Sequence, residues 1–103
     1  MIEFEWDEDK RRKTLRERKI DFIDMIDLWE DPKRQQVRDS RYNYGESRFQ
    51  TIGRSKFNIY FVVYTERFYE DGKEVIRLIS ARRANKRERD LYEKMKFSAS
   101  AAI

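Results

Sequence analysis

At 103 residues the chain is long enough for one domain and too short for two, and its 15% of aromatic residues offset a composition of 39% hydrophobic and 43% charged residues that borders on disorder. It has neither cysteine nor histidine, which excludes disulfides, thiolate nucleophiles and the commonest zinc sites and leaves acid–base chemistry to carboxylates, lysine, tyrosine and arginine. The net charge of +4 is unevenly spread, with 11 acids and 7 bases in residues 1–31 against 9 and 17 in the rest, so the C-terminal two thirds favours a phosphate-rich or acidic partner.

"MIEFEWDEDK" has neither a basic leader nor an apolar segment, and no window approaches 18 apolar residues, so a soluble, cytoplasmic protein with no membrane contact is expected. "IEFEW" alternates with period two, which predicts a half-buried strand with Ile2, Phe4 and Trp6 on one face. Asp7 then caps a polar helix over 8–18, whose only strongly apolar residue is Leu15. In "IDFIDMIDLWEDP", Phe22, Met25, Ile26 and Trp29 recur at helical spacing, which predicts the core-facing helix, ended by Pro32. Asp21, Asp24 and Asp27 spread too widely around that helix to read as a metal site and are assigned to capping.

Strands are predicted over 33–39, 48–54, 57–67 and 74–82, joined by "NYGE", by Gly53 with Ser55, and by "EDGK". Successive hairpins make the sheet antiparallel. A two-residue turn at "DG" would set Glu66 opposite Arg77 and place Tyr60, Val62, Tyr64 and Glu66 with Arg77, Ile79, Ala81 and Arg83 on a mixed aromatic and arginine surface. Ile59, Phe61, Val63, Ile76, Leu78 and Ser80 would then form the core face. Asn85 and Glu88 have capping-box spacing for a last helix that docks through Leu91, Tyr92 and Met95. One domain over 1–97 is expected, with 98–103 as a frayed tail.

Arg77 opposite Glu66 has a plain reading as a cross-strand ion pair. Its company points elsewhere: Arg48 on a neighbouring strand, Tyr60 and Tyr64 beside it, Arg82 and Arg83 at its end, and Lys86, Arg87 and Arg89 where a helix begins and bases oppose the macrodipole. The loop "DSRYNYGESR" adds Arg41 and Glu46. Phosphate-binding glycine loops, HExxH and GxSxG are absent.

Three blocks, "FEWDEDKRRKTLRERKIDF", "PKRQQVRDSRYNYGESRFQTIGRS" and "VVYTERFYEDGKEVIRLISARRANKRERDLYEK", resemble the BrnT family of bacterial toxins, in the family's order and over nearly the whole chain. "R.ISAR.A...ER..Y" after "VVYTER" is the most specific of the shared patterns. The first block departs from the family: relatives commonly read Lys-His-Gly before the second helix, and here Arg18 stands at the histidine's place. The resemblance implies an α+β, RelE-like fold, with two N-terminal helices packed on one face of an antiparallel sheet and a C-terminal helix. It also implies a ribonuclease of a type II toxin–antitoxin pair, held in a hetero-oligomer by a BrnA-like ribbon-helix-helix antitoxin, with operator DNA bound only through that complex.

Metal-free, cofactor-free RNA cleavage needs a base for the 2′-hydroxyl, charge on the phosphate and a proton for the leaving oxygen. On that reading Arg48, Arg77 and Arg82 bind the phosphate and transition state, Glu46 or Glu66 is the base, Tyr64 stacks a base or donates a proton, and Arg41, Arg83, Lys86 and Arg87 bind RNA. The competing class is a non-catalytic module that binds nucleic acid or a partner protein through the same arginines.

Overall fold

The computed structural model describes residues 2–39 and 47–98. Arg41 and Glu46 lie outside the described residues, as does the expected tail beyond Ser98.

Strand β1 (Ile2–Trp6) leads into helix α1 (Glu8–Arg18), whose N-cap Asp7 accepts hydrogen bonds from the amides of Asp9 and Lys10 at 2.9 and 3.2 Å. The second helix does not run continuously. One α turn, α2 (Phe22–Met25), tightens into a 3-10 helix over Ile26–Glu30. This turn packs onto strand β3 (Arg48–Ser55), where a Cβ on Gly53 would come within 2.9 Å of Leu28 Cγ. Gly53 is therefore a point of close approach inside a strand, not the turn residue its neighbours suggest. The β3 turn comes later, with Lys56 at φ 56°.

Strand β2 (Gln35–Asp39), β3, β4 (Asn58–Phe68) and β5 (Glu74–Arg83) form successive antiparallel pairs, and α3 (Lys86–Glu93) follows. The order in the sheet is β1-β5-β4-β3-β2. β1 runs parallel to β5, so the fold is α+β with a mixed five-stranded sheet and three helices, and the fully antiparallel expectation is corrected. The acidic side of β1 meets bases on and just before β5: Glu3 lies 3.1 Å from Lys73 and Glu5 lies 3.2 Å from Arg77.

The β4–β5 turn also differs from expectation. Tyr69 N–H donates to the Lys73 carbonyl at 2.8 Å, which encloses three residues, and Gly72 takes φ 87°, the left-handed conformation that closes such a loop. The third residue slips the register by one, so Arg77 faces Thr65 and Glu66 faces Ile76. An irregularity at Val63/Tyr64 then leaves Ile79 unpaired, as a bulge does, and beyond it the expected pairs Val62–Ala81 and Tyr60–Arg83 hold.

These shifts decide the faces. Val62, Tyr64, Ile76, Leu78 and Ala81 pack against Ile20, Phe22, Met25 and Leu28 from the N-terminal helices. Trp29 and Phe49 close on Tyr64 with ring centroids 4.9 and 5.6 Å away. The surface expected to carry arginines is therefore a core. On the opposite face Val37, Ile52, Ile59, Phe61 and Val63 are covered by Ala84, Tyr92 and Phe97 from α3 and its flanks. Each fully buried large apolar side chain contributes about 1.5–3 kcal/mol, so both layers hold the sheet.

Candidate functional site

On the α3 side of the sheet, the register aligns one polar row across all five strands. Glu5 pairs with Arg77, Arg77 with Thr65, Thr65 with Arg48, and Arg48 with Asp39. Opposed residues point to the same face, so two arginines flank a threonine at the centre and two carboxylates stand at the ends. The apolar layer beneath α3 stops short of this row.

Beside the row is a pocket of about 200 Å³ lined by Asp7, Lys10, Arg48, Arg77, Leu78 and Ile79. It arises where three elements change. β1 pairs with β5 only as far as Trp6–Leu78, α1 starts there, and β5 bulges at Ile79. Beyond that point α1 runs along the strand, and Arg18 Nη1 donates to the Ala81 carbonyl at 2.8 Å.

Three cations thus converge on one small concavity, with Asp7 the carboxylate on its wall among the described residues. Burial holds the Lys10 ammonium below the usual lysine range, and the Arg48 charge lowers it further, partly opposed by Asp7. The Glu5–Arg77 pair is about two fifths exposed on both sides, so solvent leaves it worth a few tenths to about 1 kcal/mol. Arg77 is therefore oriented by Glu5 without being locked to it. Two buried oxygens nearby, Thr65 Oγ1 and Gln50 Oε1, have no hydrogen-bond partner among the described residues. Each such group costs about 1–3 kcal/mol, and Thr65 is the one held between the two arginines.

The remaining expected residues are placed elsewhere. Arg82 shares the α3 face but bonds Glu88 through both nitrogens, at 2.8 and 2.9 Å, and stacks 4.1 Å above the Phe61 ring. Burial pushes the Glu88 carboxyl up, yet the Arg82 bonds and the Asn85 amide outweigh it and hold the group below the usual carboxylate range. With the Asn85 cap this ties α3 to β5.

Tyr64 and Glu66 lie on the opposite face from Arg48 and Arg77. Tyr64 is fully buried; its hydroxyl donates to Gln36 Oε1 and accepts from Arg34 Nη1 at 3.4 Å, and burial pushes its pKa up to about 12. Burial and then Glu74 raise the Glu66 carboxyl. Arg83 is exposed on that side, opposite Tyr60. Lys86 and Arg87 line a separate shallow surface on α3 with Asp90, Leu91 and Lys94.

Sequence reasoning missed Lys10, Asp7 and Thr65. Lys10 reads as an ordinary solvated helix lysine: it has an acid three positions earlier, at Asp7, just as Arg11 and Arg12 have Glu8 and Asp9, so nothing local in the sequence set it apart.

Among the described residues no helix is long and apolar enough to cross a membrane, and no three His, Cys, Asp or Glu side chains gather as metal ligands. No curated protein matches the chain. A family model does: BrnT, the ribonuclease toxin of a type II toxin–antitoxin system, over residues 6–88. The matched span carries both arginines of the row, Thr65 and the whole wall of the pocket. Such a family implies an RNA substrate and an antitoxin partner. With most of its length matched by that model, the chain belongs to the BrnT family of ribonuclease toxins.

Proposed function

We propose that this protein is a metal-independent endoribonuclease with a RelE-like architecture, which inhibits translation and growth in the cytoplasm until a BrnA-like ribbon-helix-helix antitoxin binds it. The observation that carries this reading is the convergence of Arg48, Arg77 and Lys10 on one pocket of about 200 Å³. Two forked guanidiniums and an ammonium match a phosphate whose equatorial oxygens gain charge as a fifth oxygen approaches phosphorus. A chain with no histidine or cysteine lacks the nitrogen and sulfur side chains that suit zinc, copper and nickel, which favours a mechanism built on these residues.

The 2′-oxygen attacks phosphorus, its proton passes to a carboxylate, the P–O5′ bond breaks, and the departing O5′ takes a proton. The products are a 2′,3′-cyclic phosphate and a 5′-hydroxyl. Arg48 and Arg77 hold the non-bridging oxygens, and Lys10, whose lowered pKa eases release of its proton, serves the leaving oxygen. Asp7 on the pocket wall is the base the geometry offers, and Glu46, two residues before Arg48 in sequence, is the other carboxylate assigned to that role. Arg82, engaged with Glu88, holds α3 on the sheet and is left out of the chemistry.

The experiment is incubation of the purified protein with RNA in a chelator, followed by end-group analysis. New cyclic-phosphate ends support the nuclease. Salt-sensitive binding with intact RNA supports a non-catalytic module that uses the same arginines.

A further inference from the structure

Helix α1 sorts its bases. Arg11 is bound to Glu8 and Asp21, and Arg12 is bound to Asp9, so both are neutralised by acids on or next to the helix. Lys10 and Lys13 have no ion-pair partner among the described residues, and both line a second cleft of about 150 Å³ with Thr14, Glu17, Arg18 and Ser80. Residues three apart share a helix face, so the two unneutralised lysines form one stripe along the cleft. This cleft lies between α1 and the stretch of β5 that β1 does not reach, and Lys10 also lines the pocket described above.

We propose that the cleft between α1 and β5 holds the RNA phosphate next to the scissile one, gripped by Lys13 and by Lys10 as the shared cation. The inference rests on the reading of the Arg48–Arg77 pocket as the scissile-phosphate site. Lys10 bridges the two concavities, so a backbone leaving the first pocket passes directly over the second. Arg18 keeps the far wall in place through its bond to the Ala81 carbonyl. Glu17 marks the end of the track, because a carboxylate there repels a further phosphate and accepts a hydrogen bond from a ribose hydroxyl or a base amino group. The cleft therefore takes one additional phosphate and not a long run of them.

The test compares binding of a 2′-O-methyl dinucleotide, with one bridging phosphate, and a 2′-O-methyl tetranucleotide, with three, which the nuclease cannot cut. Lys13→Ala removes the charge at an exposed helix position that alanine favours. We expect its affinity for the tetranucleotide to fall about threefold to tenfold, its log–log salt slope to shrink by about 0.7, and its affinity for the dinucleotide to change much less. Arg12→Ala, outside the cleft, should bind both as the wild type does. Equal losses on the two ligands, or none, in a protein whose wild type still cleaves RNA, would overturn the second subsite and leave the pocket reading standing. Tighter binding of a polyglutamate peptide than of the tetranucleotide would also overturn it, in favour of a protein partner. A wild type that neither binds nor cleaves RNA would overturn both readings together.

Discussion

Glu5 and Arg77 face each other across the parallel pair β1–β5, with Arg77 Nη1 3.2 Å from Glu5 Oε2. The carboxylate stands where a phosphate oxygen would otherwise draw the guanidinium. Glu5→Gln keeps the shape and removes the competing charge. RNA affinity should rise by a factor of about two to five, and stability should change by less than about 1 kcal/mol, read from binding isotherms and urea unfolding. Weaker RNA binding by this variant would show that Glu5 positions Arg77 for the substrate instead of competing with it.

Lys10 makes the pocket sensitive to pH. Its pKa lies below the ordinary lysine value because burial and then Arg48 disfavour the charge, whereas a bound phosphate favours it. Binding takes up a proton wherever Lys10 is partly neutral, so affinity should decline as pH rises through the lowered pKa toward the ordinary lysine value. A binding titration across that range should show the decline in the wild type. In Lys10→Arg, which stays charged, it should be absent.

Arg82 and Glu88 predict a stability effect with a definite sign. The folded-state pKa of Glu88 is lowered, so its contribution is present above the ordinary carboxylate range and is lost as pH falls through the folded value. Arg82→Met leaves a buried carboxylate without its charged partner, at a cost of about 2 kcal/mol or more near neutrality. Unfolding measured near neutral and acidic pH should show a deficit that narrows in acid, where Glu88 becomes neutral. RNA cleavage below the unfolding temperature should persist if Arg82 acts only through α3.

Much of the fold was legible because the strands alternate with period two and "DG" marks one of the hairpin turns between them. The difficulty was register. A three-residue loop in place of a two-residue one, followed by a bulge at Ile79, moved Arg77 from Glu66 to Thr65 and turned the tyrosine face into core. The partner of β1 was equally hidden, since Glu5 and Arg77 are 72 positions apart and nothing local in "IEFEW" signals a parallel neighbour. Arg48 and Arg77 were legible as candidates by residue type and strand position, and the structure brings both to the wall of one pocket. Lys10 and Thr65 entered the site only through those long-range pairings.

Tyr64 tests this correction. Tyr64→Phe removes a hydroxyl that bonds Gln36 and Arg34 inside the N-terminal core, on the face away from the pocket. Stability should drop by about 0.5–1.5 kcal/mol while RNA cleavage stays close to wild type, as measured by thermal unfolding and a cleavage assay. A large loss of cleavage at unchanged stability would return the tyrosine to the chemistry.

The central claim is that Arg77 holds the scissile phosphate, and the most direct measurement is the single-turnover rate of RNA cleavage by Arg77→Ala in chelator. Arg77 is part-exposed and its ion pair is weak, so the variant should fold with nearly unchanged thermal stability. The account predicts a rate reduced about 100-fold or more, the scale set by losing one donor to developing negative charge. A variant that cleaves RNA at the wild-type rate would contradict it and leave Arg77 as the cross-strand partner of Glu5 alone.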